Sequence, residues 1–564
     1  MLPKAEGPFG QVRVEDMRPI AIQPVVCRII SSAFAKRQET QAWLQHLVPN
    51  CTHGAIPGRE AATAILPLQA AFDQGGILMS LDQAKCFDHV IPELAVGLLS
   101  HAGMHPEWIR HLQWTWSDQH RWMQFGRNTA NSPERVSTSI PQGCAMAPIA
   151  LVVLMLEATC AVQTLQLGPE VLTQSVYIDD RAIACSSPQL AVLALQTWQH
   201  WSQRLGLREN LHKMQIVCKS VQKRAAMIAS GIDPQIFVES TRVLGVDFCS
   251  QREALPPTAQ KRVDTAWKIL PRLTLLRVGQ AFKELLYRTR CSPLVSWGLW
   301  FHGHTSNFER KWITKLKSVL KAQRMGSRAL WTLLQGHWLS PIVSADIAAV
   351  CSFLRAVNFW HRRGVTFDGG PWFSRIRRIL MNAGFAETNP FVWQHDLFGT
   401  VRFITNNCTQ TSQHLAHMLR EVWRRGLFKS FLEHNRRDSR QLLQSGAEYC
   451  EAQVGKARKT FSTATSHERA VMVGAANSLA VYQQIEHNQV TSFCPYCQCA
   501  SIPDWDHLSW FCPFFSSSRP PIPNDPLARR LGWCHNGTAD EAKALIAHLA
   551  EVRSRILLDG NLRG

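Results

Sequence analysis

Through residue 250, short apolar runs alternate with longer stretches in which apolar residues return at helical spacing, a pattern that predicts an α/β segment. Ile77-Leu78-Met79 leads into Ser80-Leu81-Asp82 as a strand with an acid at its end. Ser175-Val176-Tyr177-Ile178 and Ala182-Ile183-Ala184 read as two strands joined by a tight turn, with Asp179 and Asp180 at the tip. The most hydrophobic window, Ala145 to Leu156, contains Pro148 and ends at Glu157. It falls short of the about 20 apolar residues that span a bilayer and reads as a buried helix, so no membrane segment is expected. Pro256-Pro257 marks a boundary. Beyond it Val263, Trp267, Leu270, Leu273 and Leu276 recur at helical spacing, with Pro271 kinking or ending the first helix. Lys261, Arg262, Lys268, Arg272 and Arg277 fall on the opposite side or its edges, and the Trp residues here are expected in the core. Residues 331–480 look mostly helical, and a final helix is expected over roughly Thr538 to Leu558.

Charge adds a partner to this outline. The 564-residue chain carries a net +19, and residues 255–330 alone hold fifteen Lys or Arg against three acids. Residues 401–470 hold twelve basic against six acidic residues. So uneven a distribution points to a polyanion, most simply nucleic acid. Arg424-Arg425 and Arg436-Arg437 are either phosphate contacts or solvated faces. Seventeen scattered cysteines and an opening, Met1-Leu2-Pro3-Lys4-Ala5-Glu6, that leads into no apolar run predict reduced thiols in an intracellular protein.

Two adjacent carboxylates repel unless something cationic neutralises them, and hard divalent metals are the usual answer. Alone, Asp179-Asp180 would be an ordinary acidic turn. It stands instead in an ordered series: Asp82-Gln83-Ala84-Lys85-Cys86-Phe87-Asp88, then Ser139-Ile140-Pro141-Gln142-Gly143, then Tyr177-Ile178-Asp179-Asp180, then Leu205-Gly206-Leu207-Arg208-Glu209-Asn210-Leu211-His212-Lys213, then Leu244-Gly245. In order and spacing these blocks resemble the reverse transcriptase palm, most closely that of non-LTR (LINE-type) retrotransposons. The resemblance implies an α+β right-hand polymerase: fingers and palm over 1–250, a basic helical thumb over 255–330, and a helical connection over 331–490. A small zinc knuckle over 491–515 and a tail with a helix over 516–564 would follow.

The same resemblance assigns roles. Asp82, Asp179 and Asp180 would hold two Mg²⁺ ions, the first two acids binding both. Phe87 would be the steric gate beneath the sugar of the incoming dNTP, and Gln142 and Gly143 would line the nucleotide and template base. Ala147 stands where the family commonly has Ser. Lys213 would steady the leaving pyrophosphate, with a solvated lysine as the competing reading. Leu244-Gly245 would touch the primer end through its backbone. Lys4 and Arg18 would grip the triphosphate, and Arg59, within Gly54-Ala55-Ile56-Pro57-Gly58-Arg59, would follow the template strand. The expected activity is RNA-directed DNA polymerisation from a DNA primer on an RNA template, with genomic target DNA as a further partner and a nuclear location. The alternatives are a non-catalytic nucleic-acid-binding remnant and a group II intron-type maturase.

Cys494-x2-Cys497-x9-His507-x4-Cys512 has the spacing of a closed tetrahedral zinc site, structural rather than catalytic. Cys499 is an alternative ligand and His487 a weaker one. No paired acids and lysine of a nuclease are recognised, so the chain is expected to be a truncated reading frame whose target cleavage comes from elsewhere.

Overall fold

A computed structural model describes residues 2–3, 17–18, 22–125, 128–251, 256–303, 306–320, 327–367, 370–433, 442–474, 493–494, 496–501, 505–517, 519–534 and 538–558. Its strands and helices divide between two compact units. One comprises Met1–Thr258, Ser352–Ser374 and Phe403–Cys408, the other Ala259–Cys351, Arg375–Arg402 and Thr409–Gly564.

The first unit is built on a five-stranded sheet of β1 (Thr52–His53), β2 (Ile77–Leu81), β3 (Thr173–Tyr177), β4 (Asp180–Cys185) and β5 (Gln215–Cys218), in the order β5-β2-β4-β3-β1. Only the β3–β1 pairing is parallel. Ile77, Leu78 and Met79 are fully buried, as expected of a central strand covered on both faces. α1 (Ala61–Gly75) and α3 (Pro188–Arg204) pack on this sheet, and α2 (Ala147–Leu154) is buried in the same core. The Ala145–Leu156 window is thus a buried helix: Ile149, Leu151, Val152 and Leu154 are each 2 % exposed or less. A two-stranded ribbon, β6 (Ser240–Val243) and β7 (Val246–Cys249), lies beside β5, with Thr241 Oγ1 donating to Gln215 Oε1 at 2.7 Å.

Sequence analysis ends this body near residue 250, but two later pieces belong to it. Residues 352–374 and 403–408 pack through Phe353, which stacks on Phe373 (5.6 Å between ring centres) and meets Trp372 edge-on at 5.3 Å. Buried Asn358 fastens the second piece, its side chain donating to the Phe403 carbonyl and accepting from the Thr405 amide at 2.8 Å.

The second unit opens with α4 (Pro257–Ile269), and a new short helix begins after Pro271, where the sequence predicts a break. Val263, Leu270 and Leu273 are buried, while Lys261, Lys268, Arg272 and Arg277 are exposed, giving the expected apolar and basic sides. Leu276 departs from that reading and is exposed, because the helix has ended before it. Trp312 is buried and donates to the Tyr287 hydroxyl at 2.8 Å, which donates in turn to the Leu339 carbonyl.

Residues 331–480 hold one correction and one helix of note. Three antiparallel strands, β8 (Ala386–Asn389), β9 (Val392–His395) and β10 (Gly399–Arg402), interrupt the expected helices around buried Trp393. The helix α5 (Pro341–His361) is long and apolar enough by composition to cross a membrane. Ile342, Ala345, Val350, Phe353, Leu354 and Val357 are buried in the protein, which accounts for its apolar character as a core helix. In α6 (Cys408–Leu432), Arg424 pairs with buried Glu421 and Arg425 lies over the Tyr449 ring at 4.8 Å, so both are internal contacts rather than a solvated face. Arg436 and Arg437 lie outside the described residues.

Candidate active site

Asp82 follows the last residue of β2, and the register that pairs Arg181 with Leu81 brings Asp180 alongside it at the same end of the sheet. β3 and β4 pair down to Tyr177 and Asp180, leaving Ile178-Asp179 as a two-residue loop. Loops of that length favour a left-handed first residue, usually glycine. Ile178 takes that place with φ of 61°, a conformation costing on the order of 1–2 kcal/mol for a residue with a β-carbon. It is held from β1: the Ile178 amide donates to the His53 carbonyl at 3.4 Å, and the Val176 amide to the Cys51 carbonyl at 2.9 Å. Gly54 follows, so close that a β-carbon there would stand 2.8 Å from Ile178 Cγ1 and 3.2 Å from the Tyr177 ring. Only glycine fits against the hairpin at that distance.

The three acids share one electrostatic neighbourhood. Burial raises the Asp179 carboxyl above its ordinary pKa, and the Asp82 charge adds to the effect. Asp180 loses water in the same recess and feels Asp179 and Asp82, which together push it up to about 6. It remains at the exposed rim, where solvent screens the shift. Lys213 Nζ donates to Asp82 Oδ2 at 2.8 Å and Asn210 Nδ2 to the same oxygen at 3.1 Å, while the Asn210 amide donates to the Asp82 carbonyl at 2.9 Å. The lysine side chain is 66 % exposed, and among the described residues its ion pair is with Asp82, so a short swing would bring it to an anion beside the acids. Three carboxylates at one end of a sheet are oxygen ligands of the kind that hard divalent cations take.

A second layer of the site is not part of the sequence reading. Arg181 is buried and makes a two-pronged bond to Glu209, Nη1 to Oε1 at 2.9 Å and Nη2 to Oε2 at 2.7 Å, with its guanidinium 4.7 Å from the Trp198 ring centre. Ser202 donates to Glu209 at 2.5 Å, Gln83 Nε2 to Ser202 at 3.3 Å, and the Cys86 thiol to Gln83 at 2.8 Å. The strand of Asp180, the turn of Asn210 and Lys213, and the segment after Asp82 are therefore joined beneath the acids. One signal is present in the chain: an arginine opening the otherwise apolar run Ala182–Cys185 needs a buried acidic partner. Arg242, exposed on β6, is a further cation whose charge favours ionised Asp180.

Phe87 lies in a one-turn helix (Cys86–His89) entered through Lys85 at φ 48° and is half-buried against the core of the first unit. The Ile140 amide donates to the Phe87 carbonyl at 3.0 Å and the Ser139 amide to the Val90 carbonyl at 2.8 Å. Gln142 Nε2 reaches Asp88 Oδ1 at 3.5 Å, and Gly143 is exposed with φ of 116°. Phe87, Gln142 and Gly143 are thus brought together. Leu244-Gly245, with φ of 48° and 84°, forms the two-residue turn between β6 and β7.

The remaining predicted residues fare differently. Arg18 pairs through its backbone with Leu2, and Lys4 lies outside the described residues. Arg59 is corrected: it is 5 % exposed, and its guanidinium donates to the carbonyls of Pro49 (2.6 Å), Thr52 (2.7 Å) and Val48 (3.5 Å). Committed to the backbone around β1, it is turned into the protein rather than toward a template strand.

In the second unit Cys494, Cys497, His507 and Cys512 bring one donor atom each within 4.8 Å of the others. The Cys494 and Cys512 sulfurs are 3.9 Å apart, and Cys497 Sγ is 3.4 Å from His507 Nε2. Cys499 is exposed and contributes its carbonyl to the turn, accepting from the Cys494 amide at 3.0 Å. His487 lies outside the described residues.

Comparison with known proteins agrees with the motif series. Residues 2–248 match the family described as reverse transcriptase (RNA-dependent DNA polymerase). Among solved structures, the chain is similar to telomerase from Candida albicans in complex with a TWJ fragment of telomeric RNA, at 10 % identity and a TM-score of 0.30, covering 63 % of this chain and 56 % of that one. It is similar also to apo telomerase from Candida tropicalis, at 8 % identity and a TM-score of 0.31, covering 62 % and 60 %. The chain therefore spans less than two thirds of these structures, and similarity at this level bears no weight on function. The ordered motifs, the sheet that gathers them and the match over 2–248 make this segment a reverse transcriptase (RNA-directed DNA polymerase) domain, a nucleotidyltransferase module.

Proposed function

We propose that this chain extends a DNA primer on an RNA template by two-metal nucleotidyl transfer, in the manner of a non-LTR (LINE-type) retrotransposon enzyme. The observation that carries the reading is the gathering of Asp82, Asp179 and Asp180 at one end of the sheet, with Lys213 and Asn210 bonded to Asp82. Two Mg²⁺ ions bound there would neutralise charge on the attacking 3′-oxygen and the leaving pyrophosphate. Asp82 and Asp179 would be the direct ligands of the ions and Asp180 the third acid. Lys213 releases Asp82 and pairs with the pyrophosphate as it departs. Phe87 disfavours a 2′-hydroxyl by steric exclusion, and Gln142 with Gly143 lines the nascent base pair. The exposed Lys261, Lys268, Arg272 and Arg277 supply phosphate contacts along the duplex.

Cys494, Cys497, His507 and Cys512 hold a structural Zn²⁺ in the same proposal. Tetrahedral zinc with ordinary bond lengths sets about 3.8 Å between two sulfurs and about 3.6 Å between sulfur and nitrogen. The spacings of 3.9 and 3.4 Å fit that geometry.

The decisive experiment is extension of a DNA primer on an RNA template with Mg²⁺, comparing the chain with Asp179→Asn. Extension by the parent, lost in the variant while primer–template binding persists, is the expected outcome. Intact binding without extension by either protein would instead identify a nucleic-acid-binding remnant.

A further inference from the structure

The catalytic hairpin leans on β1, and β1 is only two residues long, too short to fix its own position. What fixes it comes from far along the chain. Arg59 ties Val48, Pro49 and Thr52 together through their carbonyls, and its buried guanidinium lies 5.8 Å from the ring centre of Phe359. Arg363 covers the same ring at 3.7 Å and donates to Asn50 Oδ1 at 2.7 Å. His53, fully buried, meets Phe359 and Trp360 at 6.2 and 6.4 Å between ring centres, and its Nδ1 lies 3.0 Å from Thr63 Oγ1. Trp360 Nε1 donates to the Thr63 carbonyl at 2.9 Å across 297 residues of sequence, and Arg355 pairs with Glu60 at 2.9 Å. The loop from Asn50 to Thr63 is therefore gripped at both ends by residues 355–363. In its middle stand the Cys51 and His53 carbonyls and Gly54, the groups that hold Val176 and Ile178.

We propose that Phe359, Trp360 and Arg363 are positioning residues for nucleotidyl transfer, bracing the Tyr177–Asp180 hairpin through Arg59, His53 and Gly54. The brace acts on backbone placement. Arg59 presents a cation in a buried place where its hydrogen bonds go to carbonyls, and the Phe359 face is the apolar, electron-rich surface that accommodates it. Without that face the Arg59 fork and the carbonyls it gathers loosen, Ile178 loses the support for its left-handed conformation, and Asp179 departs from its place beside Asp82. The proposal rests on the polymerase reading for its effect on rate, and on geometry alone for its effect on the hairpin.

The test uses the full chain with Phe359→Ala, Phe359→Tyr and Trp360→Phe. Hydrogen exchange is followed in peptides covering residues 174–182, alongside single-nucleotide extension, primer–template affinity and thermal melting. Phe359→Ala is expected to speed exchange of the Val176 and Ile178 amides. It should lower kcat on the order of tenfold to a hundredfold, the size of effect a misplacement near 1 Å produces, with primer–template affinity within about twofold. Phe359→Tyr, which keeps the ring, restores both readouts, and Trp360→Phe, which removes one hydrogen bond, falls between. Unchanged exchange at 174–182 in a folded Phe359→Ala protein would overturn the brace, as would equal loss of kcat and of template affinity. If the parent does not extend primers and exchange still rises in Phe359→Ala, the brace stands and the polymerase reading fails.

Discussion

At the scale of single residues, the candidate site sets like charges together and balances them from below. Lys213 and Arg181 oppose the repulsion at Asp179, and the burial of Arg181 against Glu209 decides what substitution there does. Arg181→Met strands the Glu209 carboxylate in the interior and is expected to cost about 3 kcal/mol or more in urea unfolding. The double variant Arg181→Met/Glu209→Leu should recover most of that loss, because a buried pair replaced by apolar side chains is close to neutral. The carboxylates above them work against the fold. With Asp180 raised to about 6, the metal-free native chain binds more protons than the unfolded chain between that pH and about 4, so this group's contribution makes stability rise as pH falls through the window. Asp180→Asn is accordingly expected to raise the melting temperature in EDTA at pH 8 by on the order of 2 °C. The gain should disappear at pH 4, where the carboxyl is protonated anyway, and a lower melting temperature at pH 8 would show that Asp180 is paired rather than repelled.

At the scale of elements, short strands are positioned by what lies across them, and the Cys–His cluster follows the same logic. Sequence spacing marks it as a small self-contained knuckle over 491–515. Instead Cys494 and Cys512 share a core with Val471 of α7 (Ser466–Met472) and with Leu545, Leu549 and Val552 of α8 (Ala539–Leu558). His548 of α8 lies 2.9 Å from the Ser509 carbonyl, two residues from His507. Cys512→Ser should therefore release about one zinc per chain and expose α7 and α8 together to hydrogen exchange, not the knuckle alone. Zinc content measured beside exchange checks both halves of the expectation. The final helix itself is placed within one residue of its sequence reading, since its apolar spacing is regular. The strands β8 to β10 escape that reading because Ala386-Glu387-Thr388-Asn389 and Gly399-Thr400-Val401-Arg402 alternate too weakly to signal a sheet.

At the scale of the whole molecule, what was legible was what is contiguous. Asp82, Asp179 with Asp180, and Lys213 each announce themselves in a short motif; the register of β2, β3 and β4 sets the acids at one end of the sheet, and Lys213 bonds to Asp82. Arg59 could not be placed from sequence, because its partners are backbone carbonyls, which no residue type encodes. Phe359 and Trp360 were silent for a plainer reason, standing about 300 positions from the loop they grip, inside a helix with no motif. The basic surplus over residues 255–330 was legible as charge, and the exposed lysines and arginines of α4 and the helix after it bear it outward. The division of the chain has one more consequence. The first unit takes in Met1–Thr258 but is completed only by Ser352–Ser374 and Phe403–Cys408. A ribosome adding about 5–20 residues per second needs roughly 8–30 s to travel from the first of these pieces to the last. The buried faces of His53 and Arg59 wait for Phe359, Trp360 and Arg363, roughly 5–20 s of that interval, so synthesis rate and chaperone access bear on the yield of native protein, and a product cut at residue 258 never receives its cover.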